Sequence, residues 1–193
     1  MRMHLTNNSL ISEITGFKSN NIIFIILWGF IGSVLLTISS KLQIPLAPVP
    51  VTFQTLVVLI MSMIIGWRAS GFSTVLYIFE GTVLGLPVFA SGGGLAYLMG
   101  PTGGFLIGFV FASIIMGFLS EIGWDKSIIL TFITMLLGTL VIYFFGILWF
   151  SNLFGFNSAI TLAVIPFIYF DFLKICLGTL VISAFWEVRI FLK

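Results

Sequence analysis

The stretch Ile160 to Phe185 reads ITLAVIPFIYFDFLKICLGTLVISAF, and among its residues only Asp171 and Lys174 carry charge. A helix needs about 20 mostly apolar residues to cross the hydrocarbon of a bilayer. This run is long enough to do so, and a run of that length with two charges in it raises two questions. One is what solvent surrounds the chain, and the other is why a membrane segment carries an acid and a base.

The rest of the sequence answers the first question. Of 193 residues, 60% are hydrophobic and 7% are charged, where a soluble domain carries about 25% charged residues. No water-soluble core of this size hides so much apolar surface, so lipid is the expected solvent. Five further runs resemble the first: Asn21 to Ser40, Val51 to Trp67, Ser70 to Val88, Gly103 to Ser120 and Ser127 to Phe150. They are continuous apolar segments of helix length, not alternating strands of about ten residues, so the expected fold is an all-α membrane protein with six transmembrane helices rather than a barrel. Residues 1–20 are polar and mixed, without the apolar core of a signal peptide, and read as a cytoplasmic tail or interfacial segment. Residues 21–193 read as one transmembrane domain.

With six spans, Arg2, Lys18, Arg68, Lys126, Arg189 and Lys193 fall on one side, and Lys41 alone falls in a connection on the other. The positive-inside tendency then makes both termini cytoplasmic. The uncharged loops around Ala90 to Pro101 and Ser151 to Ser158 are expected to face outward. A formal charge of +2 with no run of Lys or Arg gives no basic stripe, so no nucleic-acid partner is expected. Cys176 is the single cysteine, which excludes an intrachain disulfide and a thiolate metal cluster.

Three ionisable residues fall within spans: Glu80, Asp171 and Lys174. Each costs about 2.5–3.5 kcal/mol at a bilayer centre on insertion scales, so such groups face the protein interior or a wet cavity. Asp171 and Lys174, three apart, share one helix face. Pro166 suits the first turn of a helix, which puts Asp171 less than ~10 Å below a helix end near it. The pair either lines a site reachable from outside or only neutralises itself. Glu80 either joins that pair or points into a polar crevice.

The segment Gly85 to Phe109, GLPVFASGGGLAYLMGPTGGFLIGF, is apolar and holds no Lys, so it lacks the phosphate-loop pattern. Gly92, Gly93 and Gly94 permit close approach to a ligand, and Phe89, Leu95 and Tyr97 are placed to cover its apolar part. A lid dipping into the bundle and a plain connector are both open here. In the first span, Gly29, Ser33 and Thr37 form a column of small residues, suited to internal packing or to docking of a partner helix. His4 is the sole histidine and no nucleophile has a partner base, so no catalytic residues are expected, and neither a metal nor a cofactor.

Three stretches together resemble the BioY family, the biotin-specific S components of energy-coupling-factor transporters: IPLAPVPVTFQTL (Ile44 to Leu56), the Gly85 to Phe109 segment and DFLK (Asp171 to Lys174). The resemblance covers nearly the whole chain past the tail. It departs at Phe53, at Phe105, and in the Gly29, Ser33, Thr37 column, where the family carries alanines. It implies a six-helix S component with both termini inside, in a prokaryotic plasma membrane and bathed in membrane lipid. It further implies that biotin is the ligand, captured from outside, and that a transmembrane coupling protein and two ATPase subunits are partners. The chain has no ATPase motif of its own. Biotin carries a ureido ring and a carboxylate tail, so Asp171 would accept the ureido N–H groups and Lys174 would meet the carboxylate. Tyr97, Phe89, Gly94 and Glu80 complete the expected substrate contacts. An S component for a different vitamin, or a carrier that works alone, remains an alternative at this stage.

Overall fold

The computed structural model describes residues 9–191, with side chains to residue 187. Arg2, His4 and Lys193, and the Arg189 side chain, lie outside that description, as do residues 1–8 of the tail. Helix α1 (Leu10–Thr15) starts at Ser9, whose side chain accepts from the Ser12 N–H, and stops at Gly16 in the left-handed region at φ 75°. Helix α2 (Ile22–Lys41) starts at Asn21, whose Oδ1 accepts from the Ile23 N–H at 2.9 Å. Each of these caps satisfies an otherwise orphaned amide.

After α2 the chain forms a small antiparallel hairpin, β1 (Gln43–Ile44) with β2 (Val51–Thr52), in which Gln43 faces Thr52 and Ile44 faces Val51. Helix α3 (Gln54–Thr82) then covers both the second and the third expected spans, but its path breaks at Gly66, at φ 80° and ψ 171°. Gln54 Nε2 donates to Tyr77 OH at 2.7 Å, although on a straight helix those residues would stand about 35 Å apart. The two halves, 54–65 and 67–82, therefore fold back on each other. Gly66 fits the reversal because φ is positive and a Cβ there would overlap Glu121 Oε1.

The expected boundaries move accordingly. Val51 and Thr52 belong to β2, and residues 83–88 leave the helix, so the spans drawn as Val51 to Trp67 and Ser70 to Val88 are both too long. Helix α4 (Leu95–Leu98) is a single turn, and α5 (Gly103–Glu121) follows it. After a 3-10 turn at Trp124–Lys126, α6 (Ile128–Phe154) runs past the expected end at Phe150. The supposed outer loop Ser151 to Ser158 is instead the end of α6, a break at Gly155 and the start of α7 (Phe156–Ala163). Apolar Leu153, Phe154 and Phe156 sustain those helices. Helix α8 (Ile165–Phe191) begins one residue before Pro166, whose missing N–H costs nothing in a first turn.

Among the described residues, five helices are long and apolar enough to cross a membrane: α2, α3, α5, α6 and α8. Helix α3 packs on α2 and α5, α5 on α6, and α6 on α8, while α8 returns to α3 and closes the ring. Ile23, Phe30, Phe144 and Leu180 are each more than half exposed, an outward apolar surface that suits lipid and not water. Inside, Leu59, Met63, Met116, Met135, Ile175 and Ile182 fill one half of the ring. Two further apolar clusters, one around Phe89 and Phe109 and one around Phe150 and Phe167, fill the rest, and the site lies between them.

Candidate ligand-binding site

The charged pair of α8 points inward. Asp171 is 4% exposed and Lys174 is 8% exposed, and Lys174 Nζ donates to Asp171 Oδ1 at 2.8 Å. Tyr143 of α6 donates its hydroxyl hydrogen to Asp171 Oδ2 at 2.6 Å. Lys174 also donates to Thr55 Oγ1, at the start of α3, at 3.2 Å. Three helices thus meet in one polar layer above the methionine-rich core. Each carboxylate oxygen has a donor, as a buried polar group requires.

Above Asp171 lies a narrow cleft whose empty space, counted with its open mouth, is about 550 Å³. Asp171 and Tyr143 line it, with Thr52, Gln54 and Thr55 from the entry to α3 and aromatic rings from three directions. Lys174 does not line it; its ammonium sits behind Asp171. Phe89 stacks on Tyr97 with ring centroids 4.9 Å apart and meets Tyr77 edge-on at 5.3 Å. Phe105 and Phe167 stack at 6.4 Å on the other wall. Burial pushes the Tyr97 hydroxyl above its ordinary range, so it serves as a neutral polar group.

The roof is residues 85–94, and it is clamped. The carbonyls of four successive residues accept side-chain hydrogen bonds: Pro87 from Lys41 at 2.6 Å, Val88 from Ser40 at 2.7 Å and Tyr77 at 3.1 Å, Phe89 from Lys41 again, and Ala90 from Gln43 at 3.1 Å. Phe89 is fully buried beneath this clamp. The segment is therefore a lid that dips into the bundle, not a loose connector. Lys41, the lone cation on its side of the sequence count, is one of the clamping groups.

The other expected contacts are placed as follows. Phe89 and Tyr97 line the cavity. Gly94 does not; it donates its N–H to the Gly81 carbonyl at 2.6 Å and, at φ 92°, opens α4. Leu95 is 58% exposed and faces away. Glu80 is outside the cavity too, because its Oε2 accepts the Ser33 hydroxyl proton between α2 and the second half of α3. The column on α2 is used the same way. A Cβ at Gly29 would overlap the Phe72 ring, Ser33 is fully buried, and Thr37 donates to the Ser33 carbonyl at 3.1 Å. Gly29 and Ser33 are therefore buried against α3 of the same chain, the internal-packing use of the column.

Tyr143, Thr55, Gln54, Tyr77 and Lys41 were not singled out by sequence. A signal existed for the tyrosines: the chain has four, and a phenol within an apolar span needs a partner for its hydroxyl. Three of them line this cavity.

Compared with known families, residues 13–190 match the model of the BioY family. The chain belongs to the BioY family. Among BioY relatives, a probable biotin transporter BioY of Pyrococcus horikoshii is 37% identical over 141 residues, covering 72% of this chain and 82% of the relative. Biotin transporter BioY2 of Lactococcus lactis subsp. cremoris is 35% identical, covering 78% of this chain and 83% of the relative. Biotin transporter BioY of Thermotoga maritima is 31% identical, covering 76% and 86%. Among solved structures, the crystal structure of an S-component for biotin from an ECF-type ABC transporter matches with a TM-score of 0.74 and 25% identity, over 86% of this chain and 92% of that one. A BioY chain with these apolar helices is a multi-pass membrane protein and a transport subunit, not an enzyme.

Proposed function

We propose that this BioY chain is the biotin-binding S component of an ATP-driven uptake transporter in a prokaryotic plasma membrane. The observation that carries this reading is the buried Asp171 carboxylate on the wall of a clamped, aromatic-lined cavity, in a chain whose relatives are biotin transporters. Biotin offers two ureido N–H donors that diverge on either side of the ring carbonyl of an apolar bicycle. Asp171 accepts one of them at the deep end, and Phe89, Tyr97 and Tyr77 enclose the bicycle. Lys174 pairs with Asp171 and Thr55 behind the cavity wall and does not touch the ligand in this arrangement. The aliphatic tail and its carboxylate then extend toward the mouth.

The α3 halves count as two crossings, which with α2, α5, α6 and α8 gives six and puts both ends of the chain on the cytoplasmic side. The fold-back at Gly66 supports that count, and Lys18, Arg68 and Lys126 on one side support the orientation. Release inward is driven by partners, a transmembrane coupling protein and two ATPase subunits, since the chain holds no nucleotide motif. The test is direct. Purified chain should retain biotin, identified by mass spectrometry and titrated by calorimetry in preference to other vitamins. Vesicles holding the chain alone should not accumulate biotin, while vesicles with the coupling proteins and ATP should. Retention of a different vitamin would refute the ligand assignment, and accumulation by the chain alone would refute the assembly.

A further inference from the structure

At the end of the bundle opposite the lid, Lys18 from the α1–α2 connection and Arg68 just past the α3 reversal share one recess with Asn20, Trp67, Phe118 and Glu121. Lys18 is exposed. Arg68 is 37% exposed, lies 4.3 Å over the Trp67 ring and reaches Glu121 Oε2 at 3.7 Å. Two cations against one carboxylate leave the recess positive by one charge. A second groove, wholly apolar, continues from it along the outer face of α5. Trp67 and Phe118 belong to both, and Ile114, Ile115 and Leu119 extend the apolar part away from the charges. Ile115 is 40% exposed and Phe118 is 54% exposed, so the groove is open to the surroundings of the bundle.

We propose that this recess and groove bind one anionic phospholipid, its phosphate between Lys18 and Arg68 and one acyl chain along Ile115 and Phe118. The shape and the chemistry both require a two-part ligand. A soluble anion would leave the groove unfilled, and a neutral hydrocarbon would leave the positive charge unmet. The recess lies where the spans end, at headgroup depth, and Trp67 joins polar to apolar as interfacial tryptophans do. Basic pockets at helix ends recognise lipid headgroups through such contacts, with each cation contributing a factor of about five.

The experiment is native mass spectrometry of the full chain with equal amounts of phosphatidylglycerol and phosphatidylcholine, which involves no biotin. The unaltered chain should retain phosphatidylglycerol preferentially. Lys18→Gln and Arg68→Gln should each reduce that preference by about fivefold, Arg68→Lys should largely keep it, and glycerol phosphate should not compete. Gel filtration and the unfolding midpoint check that each variant is folded. Equal retention of the two lipids by the unaltered chain would overturn the proposal whatever the variants do. Effective competition by glycerol phosphate, or an unchanged preference in both glutamine variants, would also overturn it.

Discussion

Tyr143 donates to Asp171 Oδ2 from α6 while Lys174 donates to Asp171 Oδ1 from one turn further along α8, so the two oxygens of one buried carboxylate are held from opposite sides. A charged hydrogen bond of this kind contributes about 1.5–3 kcal/mol. Removing it leaves an oxygen on the cavity wall that a ligand donor can reach.

Tyr143→Phe is therefore expected to lower the stability of the ligand-free protein by about 1.5–3 kcal/mol. Biotin should recover part of the loss, because a ureido N–H takes the vacated position. Unfolding in detergent with and without biotin checks both; an unchanged ligand-free stability would contradict the role given to Tyr143.

The lid clamp makes a kinetic prediction. Lys41→Met removes two of the side-chain bonds on the carbonyls of residues 87–90 and leaves the aromatic wall in place. Biotin should then dissociate roughly tenfold faster, as expected for loss of about 1–1.5 kcal/mol, with its association rate little changed. Stopped-flow displacement measures this, and an unchanged dissociation rate would mean that the clamp does not gate the site.

Much of this was legible in the sequence, and the part that was not has physical causes. Apolar runs located the helices, and Pro166 marked the start of α8 because a missing N–H is tolerated only in a first turn. The ends of α3 and α6 were misplaced because hydropathy does not distinguish an apolar helix from the apolar lid or hairpin beside it. Asp171 stood out since a charge in a span demands a reason, but that rule is silent about Thr55 and Gln54, which become site residues only when the α3 halves fold back. Glu80 obeyed the same rule and found its partner in Ser33, between helices rather than at the cavity.

Gly66 is the residue on which that fold-back depends. Gly66→Ala places a Cβ against Glu121 Oε1 and asks alanine for φ 80°, a strain of about 1–3 kcal/mol before the overlap is counted. The unfolding midpoint should fall clearly, and biotin affinity should fall with it because Gln54 and Tyr77 lose their register. Full stability in this variant would contradict the reversal.

Asp125 gives a pH dependence at the bundle end away from the lid. It is 3% exposed and accepts from Trp186 Nε1 at 3.1 Å, and burial raises its pKa from 3.8 to about 6, with Lys126 opposing the rise. A carboxyl raised in the folded state favours folding when protonated, so its contribution is full below pH ~3.8 and is lost as pH climbs through about 6. Relative to Asp125→Asn, the unaltered chain should lose on the order of 2 kcal/mol between those limits. Parallel stability curves for the two proteins would refute this.

The most direct measurement is biotin titration of three variants together: Asp171→Asn, Lys174→Met and the double change. Each single change leaves one buried charge uncompensated and should cost about 3–5 kcal/mol of stability, whereas the double change removes both charges and should recover most of it. If Asp171 receives the ligand, the stable double variant should bind biotin at least 100-fold more weakly than the unaltered chain. A double variant that binds biotin as tightly as the unaltered chain would show that the pair serves only to neutralise itself within the membrane.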